Sequence, residues 1–596
     1  MTTDDIVELG LDGVVAIAER QCIDYYDDPL RTKADELRAA GNEDAAFVVD
    51  LVAVVCTFAL QEDNPSNPFA PRMVMGGMRT PIVDDLEDGH FAMLESVRDA
   101  IRDAELRARI ADVLWQRRGR KVADAVTAVS EYMNSARRLD DPGWWPQPFL
   151  RIKRASQVAA QIVNGMPEPM RTVDEWILER VRSLDGVDPL YYSARLMEVL
   201  LTVRRTDKER REFATQAIKT AGRASDEGDP ERARAYYDVA VRWHDPVSDA
   251  ETIRALRIAA AETILARARS QAQAIAKASL LADAVVALRN AGADAAQVDA
   301  IRRELDESQR ASLSGMKTLS AEVDITDMVK AARKAAEGLQ FEHAIVKITR
   351  MVRIPTVSDL RAEVEGSIKN TPLRMSLSSR QIDRFGRVTG VRSGVFGDDA
   401  DREGAILSEM HECSRRRRAI AVDAVIEPYR KQMMSEHRPS LADFMRLVHD
   451  RPLVPPQGRA FFVRGLYAGY YGDFIEATHL LVPALEHALR MLLASTGALV
   501  YSQSPLGIQD FFDLNRILDE PGTLAALHED YIFELKGLLV SRFGENLRNN
   551  VAHGLLTPNE TQGPAAVFLW WLTLDLIFSL NYVGNERVDA SGSTLE

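Results

Sequence analysis

The chain has 596 residues, of which 46% are hydrophobic and 27% charged. This composition is ordinary for a water-soluble globular protein, and the length is too great for a single compact core. The formal net charge of −15 argues against a surface that coats nucleic acid nonspecifically, so we expect any RNA contact to be confined to a local basic surface.

The cysteines and histidines predict neither disulfides nor a metal site. Cys22, Cys56 and Cys413 are far apart in the sequence, and no Cys/His cluster has the spacing of zinc ligands. Buried thiols in a reducing cytosol are the expectation. We therefore predict no metal and no cofactor.

The N-terminus and one apolar stretch bear on localisation. Residues 1–5 are acidic and lack the basic start and apolar run of a signal peptide. The apolar stretch 565–580 is short for a membrane helix and carries Asp575, so it predicts a buried core or interface helix. We expect a cytoplasmic protein with no membrane contact. A membrane-attached protein is the alternative if that stretch were exposed.

Helix-forming residues dominate and alternating β-branched runs are scarce, so the sequence predicts a mostly α fold. Residues 1–207 are predicted as an N-terminal helical domain, with amphipathic helices such as 43–60 and 91–115. A Pro/Gly-rich stretch over 64–88 predicts a long surface loop between them.

Residues 208–370 predict longer helices joined by short turns. Gly228-Asp229-Pro230 and the small residues after it resemble the second half of a tetratricopeptide-type hairpin. No repeat of fixed period follows, so an irregular α-solenoid or helical bundle is expected. Such a surface suits a protein partner or a sensor ligand, and a plain scaffold is the alternative.

Residues 371–457 predict a connector with a small β-hairpin. Phe385-Gly386-Arg387 is the expected turn, among the scattered apolar residues Met375, Leu377, Ile382, Val388, Val391 and Val395. A helix over 401–437 follows and contains four consecutive arginines, 415–418. Because four consecutive residues point all round a helix, a solvated surface is expected, with an RNA-phosphate contact as the alternative.

Residues 458–596 are the last predicted domain. Asp473 is expected to cap a helix with an apolar stripe, and Glu486 and Arg490 stand at i,i+4 on another face, where they can form a helix salt bridge. The predicted stripe consists of Leu481, Leu485, Ala488, Leu489 and Leu492. A helix from about 529 to 542 is expected to end at Gly544. The motif Arg548-Asn549-Asn550-Val551-Ala552-His553-Gly554 then precedes the last helix.

This motif resembles a family signature. An Arg, a polar residue, three further residues and a His, near the last helix of a four-helix bundle, mark HEPN domains (higher eukaryotes and prokaryotes nucleotide-binding). The sequence resembles more closely the HEPN-like family of unknown function marked by Arg-Asn-x-x-x-His-Gly, which includes the endoplasmic-reticulum-membrane-associated RNA degradation protein. His479 to Pro483, with Glu486 and Arg490, resembles that family's first helix. The resemblance covers about 460–582 and, more weakly, 385–387.

The resemblance implies a C-terminal HEPN-like four-helix bundle and a metal-independent endoribonuclease, such as a toxin or anti-phage defence effector. It implies RNA as the substrate and a homodimer through the C-terminal domain, because HEPN nucleases pair their motifs at an interface. The implied catalytic residues are Arg548, Asn549 and His553, with Asn550, Glu486, Arg490 and His479 binding RNA or supporting the site. HEPN-like families include inactive members, so a catalytically inactive nucleotide- or protein-binding module on a helical scaffold is the alternative.

The motif's side chains suit cleavage of RNA by its own 2′-OH. A histidine can take the 2′-OH proton near neutral pH, and an arginine can stabilise the charge that develops on the phosphate. Asn549 and His553 share a helix face, whereas Arg548 and His553 are about 140° apart on an ideal helix. For both side chains to reach one phosphate, either the helix is distorted, Arg548 reaches round it on its long side chain, or two chains contribute residues to one site.

A structural role for the same residues is the alternative. Arg-Asn at a helix start can cap backbone groups, and a His before Gly can satisfy a helix C-terminus.

Overall fold

A computed structural model of the chain describes residues 3–75, 78–117, 119–188, 190–203, 205–245, 248–316, 322–370, 376–395 and 399–591; the side chains of Thr3, Met75 and 580–591 are not included. In these ranges the chain is mostly α-helical, as predicted, and its strands form short antiparallel pairs. The chain divides into two compact units, Met1–Ser312 and Leu313–Glu596. The four-part division of the sequence, with boundaries at 207, 370 and 457, stays a prediction.

The first unit is built from successive helices, many of which pack against the next helix in the chain. They are α1 (Thr3–Glu8), α2 (Leu11–Ala16), α3 (Asp27–Ala39), α4 (Glu43–Cys56), α5 (Asp88–Ala100), α6 (Ala104–Gln116), α7 (Val122–Arg138), α8 (Pro146–Ile162), α9 (Glu168–Leu184), α10 (Tyr192–Leu200), α11 (Asp207–Asp226), α12 (Pro230–Trp243), α13 (Ala250–Ser270), α14 (Ala274–Asn290) and α15 (Ala295–Leu313). The stretch predicted as a loop over 64–88 contributes to two small strand pairs. These are β1 (Ala59–Leu60) with β2 (Phe69–Ala70), and β3 (Val74–Met75) with β4 (Met78–Arg79).

The single helix predicted over 91–115 is two helices, and the break has a clear cause. The Asp103 carboxylate accepts a hydrogen bond from the backbone N–H of Leu106 at 2.8 Å and so caps the start of α6. The backbone N–H groups of Arg102 and Asp103 donate to the Asp12 carboxylate at 3.0 and 2.8 Å. A partner distant in sequence therefore satisfies the backbone at a break that the apolar spacing does not reveal.

The turn predicted at Gly228-Asp229-Pro230 joins α11 to α12. Gly228 has a φ of +77°, and the Asp229 side chain accepts a hydrogen bond from the N–H of Arg232 at 3.0 Å. Turn chemistry that is local in sequence thus forms the hairpin as expected.

The second unit continues with helices and two hairpins. Its helices are α16 (Thr326–Ala336), α17 (Phe341–Met351), α18 (Val357–Asn370), α19 (Asp399–Ala421), α20 (Glu427–Glu436), α21 (Leu441–Val448), α22 (Arg459–Tyr470), α23 (Phe474–Ser495), α24 (Leu514–Asp519), α25 (Pro521–Ala526), α26 (Glu529–Leu535), α27 (Leu547–Ala552), α28 (Pro558–Thr561) and α29 (Pro564–Ser591). Segments of π-helix, Val422–Ile426 and Lys536–Val540, follow α19 and α26 directly. The strand pairs are β5 (Ser379–Ile382) with β6 (Val388–Arg392), and β7 (Tyr501–Gln503) with β8 (Gln509–Phe511).

The core of the second unit is apolar and centres on α23 and α29. The predicted stripe of α23 is buried, with Leu492 at its edge, and Asp473 caps the helix by accepting from the N–H of Glu476 at 3.0 Å. Trp570 and Trp571 of α29 are fully buried, and their indole N–H groups donate to backbone carbonyls at 3.0 Å. The stretch 565–580 is therefore a core helix. Across the described residues, no helix is both long and apolar enough to span a membrane.

The predicted β-hairpin is present as β5 and β6. Gly386 has a φ of +79°, and its N–H donates to the carbonyl of Asp383 at 2.9 Å, which closes the turn expected at 385–387. The backbone N–H groups of Phe385 and Arg387 donate to the Asp383 carboxylate at 2.8 and 2.9 Å. Met375 lies outside the described residues.

Candidate active site

The motif helix, α27, contains only the six residues Leu547–Ala552. Asn546 precedes it with a φ of +54°, a left-handed conformation that asparagine tolerates better than most residues. At the other end, Gly554 has a φ of +63°, and the N–H of Leu555 donates to the carbonyl of Asn550 at 2.8 Å. Backbone groups alone therefore close the helix, and His553 lies just beyond it.

The Arg548 guanidinium is held against α23. Its Nε donates to Oε2 of Glu486 at 3.0 Å, and its Nη1 donates to Oδ1 of Asn549 at 3.2 Å. The hydrogen bond with Glu486 raises the pKa of Arg548, with a smaller contribution from Asp513. The side chain remains 27% exposed. Arg548 is therefore an oriented cation whose side chain is partly exposed.

Glu486 is shared by two arginines. The i,i+4 pair expected on α23 is present, with Nη2 of Arg490 at 3.1 Å from Oε1 of Glu486. Arg490 also donates to the carbonyl of Phe512 at 3.2 Å, and its Nε is buried without a hydrogen-bond partner in the described part of the chain. Tertiary packing thus extends a local helix pair into an Arg490–Glu486–Arg548 cluster.

The two asparagines of the motif have separate partners. Nδ2 of Asn549 donates to Oδ1 of Asn546 at 2.7 Å, and its own Oδ1 accepts from Arg548. Nδ2 of Asn550 donates to the carbonyl of Glu545 at 3.1 Å. The Asn549 side chain therefore orients Arg548 within one chain, and it makes no hydrogen bond to the His553 imidazole.

The side chain of His553 is exposed. Its backbone N–H donates to the carbonyl of Asn549 at 3.0 Å, but its imidazole forms no hydrogen bond with any residue that the structure describes. His553 occupies the C-cap position, where its N–H keeps the i,i−4 bond to Asn549, so the angle of about 140° expected between Arg548 and His553 is retained approximately. Both ring nitrogens are open to a ligand.

His479 is not joined to the motif. It is exposed, and its Nδ1 lies 2.8 Å from the carbonyl of Ile475 on its own helix. On α23 it is seven residues before Glu486, about 10 Å along the helix axis. Of the predicted supporting residues, Glu486 and Arg490 contact the cluster around Arg548, whereas Asn550 and His479 bond elsewhere.

A cleft of about 470 Å³ lies on the other side of the motif helix. One wall is the tip of the β5–β6 hairpin, with Arg384, Phe385 and Arg387. Asn546 and Asn550 of the motif segment line the opposite wall. Asn550 and Arg548 are about 200° apart around the helix, so the cleft and the Arg548 cluster lie on different faces.

A buried ion network supports the floor of this cleft. Arg418 is 2% exposed, and its guanidinium pairs with Glu534 at 2.7 Å and with Glu545, where the Nε–Oε1 distance is 3.1 Å. Ser414 donates to Glu534 at 2.6 Å. Burial raises the pKa of Glu545, although the charge of Arg418 opposes that rise.

The solvated surface expected of the four arginines is wrong for Arg418. His411 and Ser414, on the same helix face, are also buried, so this polar face of the helix points inward. Arg417 pairs with Glu363, and Arg416 pairs with Glu409 and Glu412 at 3.6 and 3.7 Å. Arg415 is exposed and lines the cleft.

His411 is buried beside this network. Its ring stacks on Phe533 with centroids 4.4 Å apart, and its Nδ1 has no hydrogen-bond partner within the described ranges. Burial, reinforced by the charges of Arg418 and Lys536, lowers the pKa of His411 to about 4. In the described residues, no group of three or more His, Cys, Asp or Glu side chains is placed to hold a metal ion.

Residues 1–171 match the family described as Domain of unknown function (DUF7380). That match lies within the first unit. No curated protein matches the chain. Among solved structures, the chain is similar to a circular tandem repeat protein with novel repeat topology and enhanced subunit contact surfaces. The identity is 13% over 99% of this chain and 98% of that one, and the TM-score of 0.12 is too low to indicate a shared fold.

Proposed function

We propose that the chain is a metal-independent endoribonuclease whose catalytic residues are Arg548, Asn549 and His553. One observation carries the proposal: neither the guanidinium nor the imidazole caps the motif helix. Backbone hydrogen bonds close its C-terminus, and within the described residues the Arg548 guanidinium bonds only to side chains. An exposed imidazole and an oriented cation on the same motif helix suit phosphate chemistry better than a structural role.

The proposed reaction uses the 2′-OH of RNA as nucleophile. His553 removes the proton, the 2′-oxygen forms a bond to phosphorus, and the bond from phosphorus to the 5′-oxygen breaks. The proton returns to the 5′-oxygen, which gives a 2′,3′-cyclic phosphate and a 5′-OH. Arg548, oriented by Glu486 and Asn549, stabilises the charge on the non-bridging oxygens.

A homodimer through the second unit is part of the proposal. Arg548 and His553 form no hydrogen bond with each other in one chain. Motifs paired across an interface would bring Arg548 of one copy close to His553 of the other. The β7–β8 hairpin beside the Arg490 cluster exposes Leu506, Ile508 and Phe511, with Leu506 87% exposed. Apolar side chains grouped in this way are typical of an interface. A toxin or anti-phage effector restrained by its helical first unit would use such a site.

A catalytically inactive binding module is the second candidate. The observation that favours it is the engagement of Arg548 by Glu486, because a phosphate must compete with that carboxylate. Such a module would bind a nucleotide or a protein without cleaving RNA.

The test is cleavage of end-labelled RNA by the full chain in EDTA. We expect Arg548→Ala and His553→Ala each to reduce the rate by at least about a hundredfold, the usual effect of losing a general base or a transition-state donor. Matched controls are Arg464→Ala and His449→Ala, which remove exposed side chains elsewhere in the second unit. A DNA oligonucleotide of the same sequence should remain intact, and the RNA products should end in a cyclic phosphate.

Cleavage that survives both motif substitutions would overturn the site assignment. An absence of cleavage over a broad panel of RNAs, with binding retained, would favour the inactive module.

A further inference from the structure

We infer that the cleft between the β5–β6 hairpin and the motif segment binds a phosphorylated nucleotide, either free or as one unit of an RNA strand. Its volume of about 470 Å³ suits a ligand of that size. The inference uses residues outside the motif and concerns binding alone. A role for the cleft in holding the substrate rests on the proposed function.

The charges of the cleft leave two arginines for an anion. Each lining carboxylate is already engaged: Asp383 by Arg387 at 2.8 Å, Glu545 by Arg418, and Glu560 by the Thr557 hydroxyl at 2.7 Å and Arg384 at 3.4 Å. The lining residues Arg415 and Arg542 are both exposed. Their side chains form no hydrogen bond or ion pair with the residues that the structure describes, although the charge of Arg415 is near enough to Glu545 to oppose the rise in the pKa of that carboxyl. In a chain of net charge −15, such a pair facing one cleft favours a phosphate ligand.

The hairpin tip supplies a surface for a base. Phe385 is 36% exposed, and the guanidinium carbons of Arg384 and Arg387 lie 4.8 and 5.0 Å from its ring centroid. Aromatic rings and guanidinium planes are the groups on which unpaired bases stack. Asn546 and Asn550 on the opposite wall add amide groups that can meet the edge of a base.

The cleft also extends towards His553, the proposed general base. Leu555 and Leu556 line it, and Leu555 is only two residues after His553. A strand with one nucleotide in the cleft would therefore pass the end of the motif helix. Arg415 and Arg542 would then hold substrate without touching the scissile phosphate.

Binding can be measured separately from cleavage. The probe is a fluorescein-labelled octaribonucleotide with 2′-O-methyl riboses, which lacks the nucleophile, and its anisotropy is followed with the full chain. At about 0.1 M salt, we expect Arg415→Ala and Arg542→Ala each to weaken binding about tenfold and to reduce the slope of log K against log salt by about 0.7. We expect Phe385→Ala to weaken binding about tenfold and Phe385→Tyr to restore it.

The matched controls are Arg464→Ala and Phe461→Ala, on exposed positions of α22 with 67% and 52% exposure. Competition by adenosine 5′-monophosphate distinguishes the two sources of the nucleotide. Displacement at micromolar to millimolar concentration indicates a free-nucleotide site, and displacement only by an unlabelled oligonucleotide indicates a strand site; either supports the inference.

Binding of probe and mononucleotide that is equal in all cleft variants and controls would overturn the inference, as would no binding by the wild type. The outcome is independent of the proposed function. If cleft variants lose binding while the wild type cleaves no RNA, the proposed function fails and the cleft assignment holds. If cleavage needs His553 but is unaffected by the cleft substitutions, with unchanged probe binding, only the cleft assignment fails.

Discussion

At the scale of single residues, Asp575 is the ionisable group in the middle of the apolar helix α29. It is 6% exposed and accepts hydrogen bonds from Tyr531 at 2.7 Å and Ser579 at 3.2 Å. Burial raises the pKa of Asp575 to about 6, although both hydrogen bonds oppose the rise. The folded protein therefore keeps this proton to a higher pH than the unfolded chain does.

The pH dependence of stability follows from that shift. Between about pH 4 and pH 6 the unfolded state binds fewer protons, so the free energy of unfolding should fall as the pH rises. We expect Asp575→Asn to remove this dependence. As the pH rises from 4 to 7, the free energy of unfolding of the variant should increase by about 3 kcal/mol relative to that of the wild type. Hydrogen exchange of the α29 amides, corrected for intrinsic rates, measures the change. The exposed Asp450→Asn variant should follow the wild type, and parallel profiles for Asp575→Asn and wild type would contradict the prediction.

At the scale of elements, Gly544 shows how packing determines the segment before the motif helix. A Cβ on Gly544 would lie 1.8 Å from the carbonyl oxygen of Gly537, and the N–H of Glu545 donates to that same carbonyl at 3.0 Å. The sequence predicts Gly544 as the residue that ends the preceding helix at about 542. In the structure that helix ends in π-helical form at Val540, and Gly544 is needed for close approach of two backbones.

A Gly544→Ala substitution must displace backbone. We expect it to lower the free energy of unfolding of the second unit by about 1–3 kcal/mol. It should also weaken RNA cleavage, because Glu545 and the motif helix follow directly. Gly404→Ala is the matched control, since a Cβ there meets nothing within 4 Å and alanine favours the helix α19. Urea unfolding of the three proteins checks this, and equal stability of Gly544→Ala and wild type would be inconsistent with the close approach.

At the scale of the whole molecule, the proposed site requires two copies. Light scattering should give twice the chain mass of 66.3 kDa. The double variant Leu506→Asp, Ile508→Asp places charge on the exposed hairpin and should shift the protein to monomer with loss of cleavage. Leu441→Asp, at an exposed position at the start of α21, is the control and should stay dimeric. A wild-type monomer that still cleaves RNA would rule out the paired arrangement.

Local features were determined by the sequence itself. The mostly α class, the Asp473 cap, the buried stripe of α23, the Gly228 turn and the hairpin at Gly386 follow from helical periodicity, capping and left-handed glycines. These signals act within a few residues, so the surrounding fold hardly alters them. The contiguous motif and the i,i+4 pair of Glu486 and Arg490 belong to the same class.

Only the tertiary structure determined which residues of the candidate site contact one another. Glu486 and Arg548 are separated by 62 positions, and Arg418 and Glu545 by 127, so no spacing in the sequence predicts either pair. The cleft that joins the hairpin tip to the motif segment arises in the same way. Contacts of this kind depend on how apolar faces pack around α23 and α29. Packing brings charged residues together from elements whose own sequences reveal only that each is a helix or a turn.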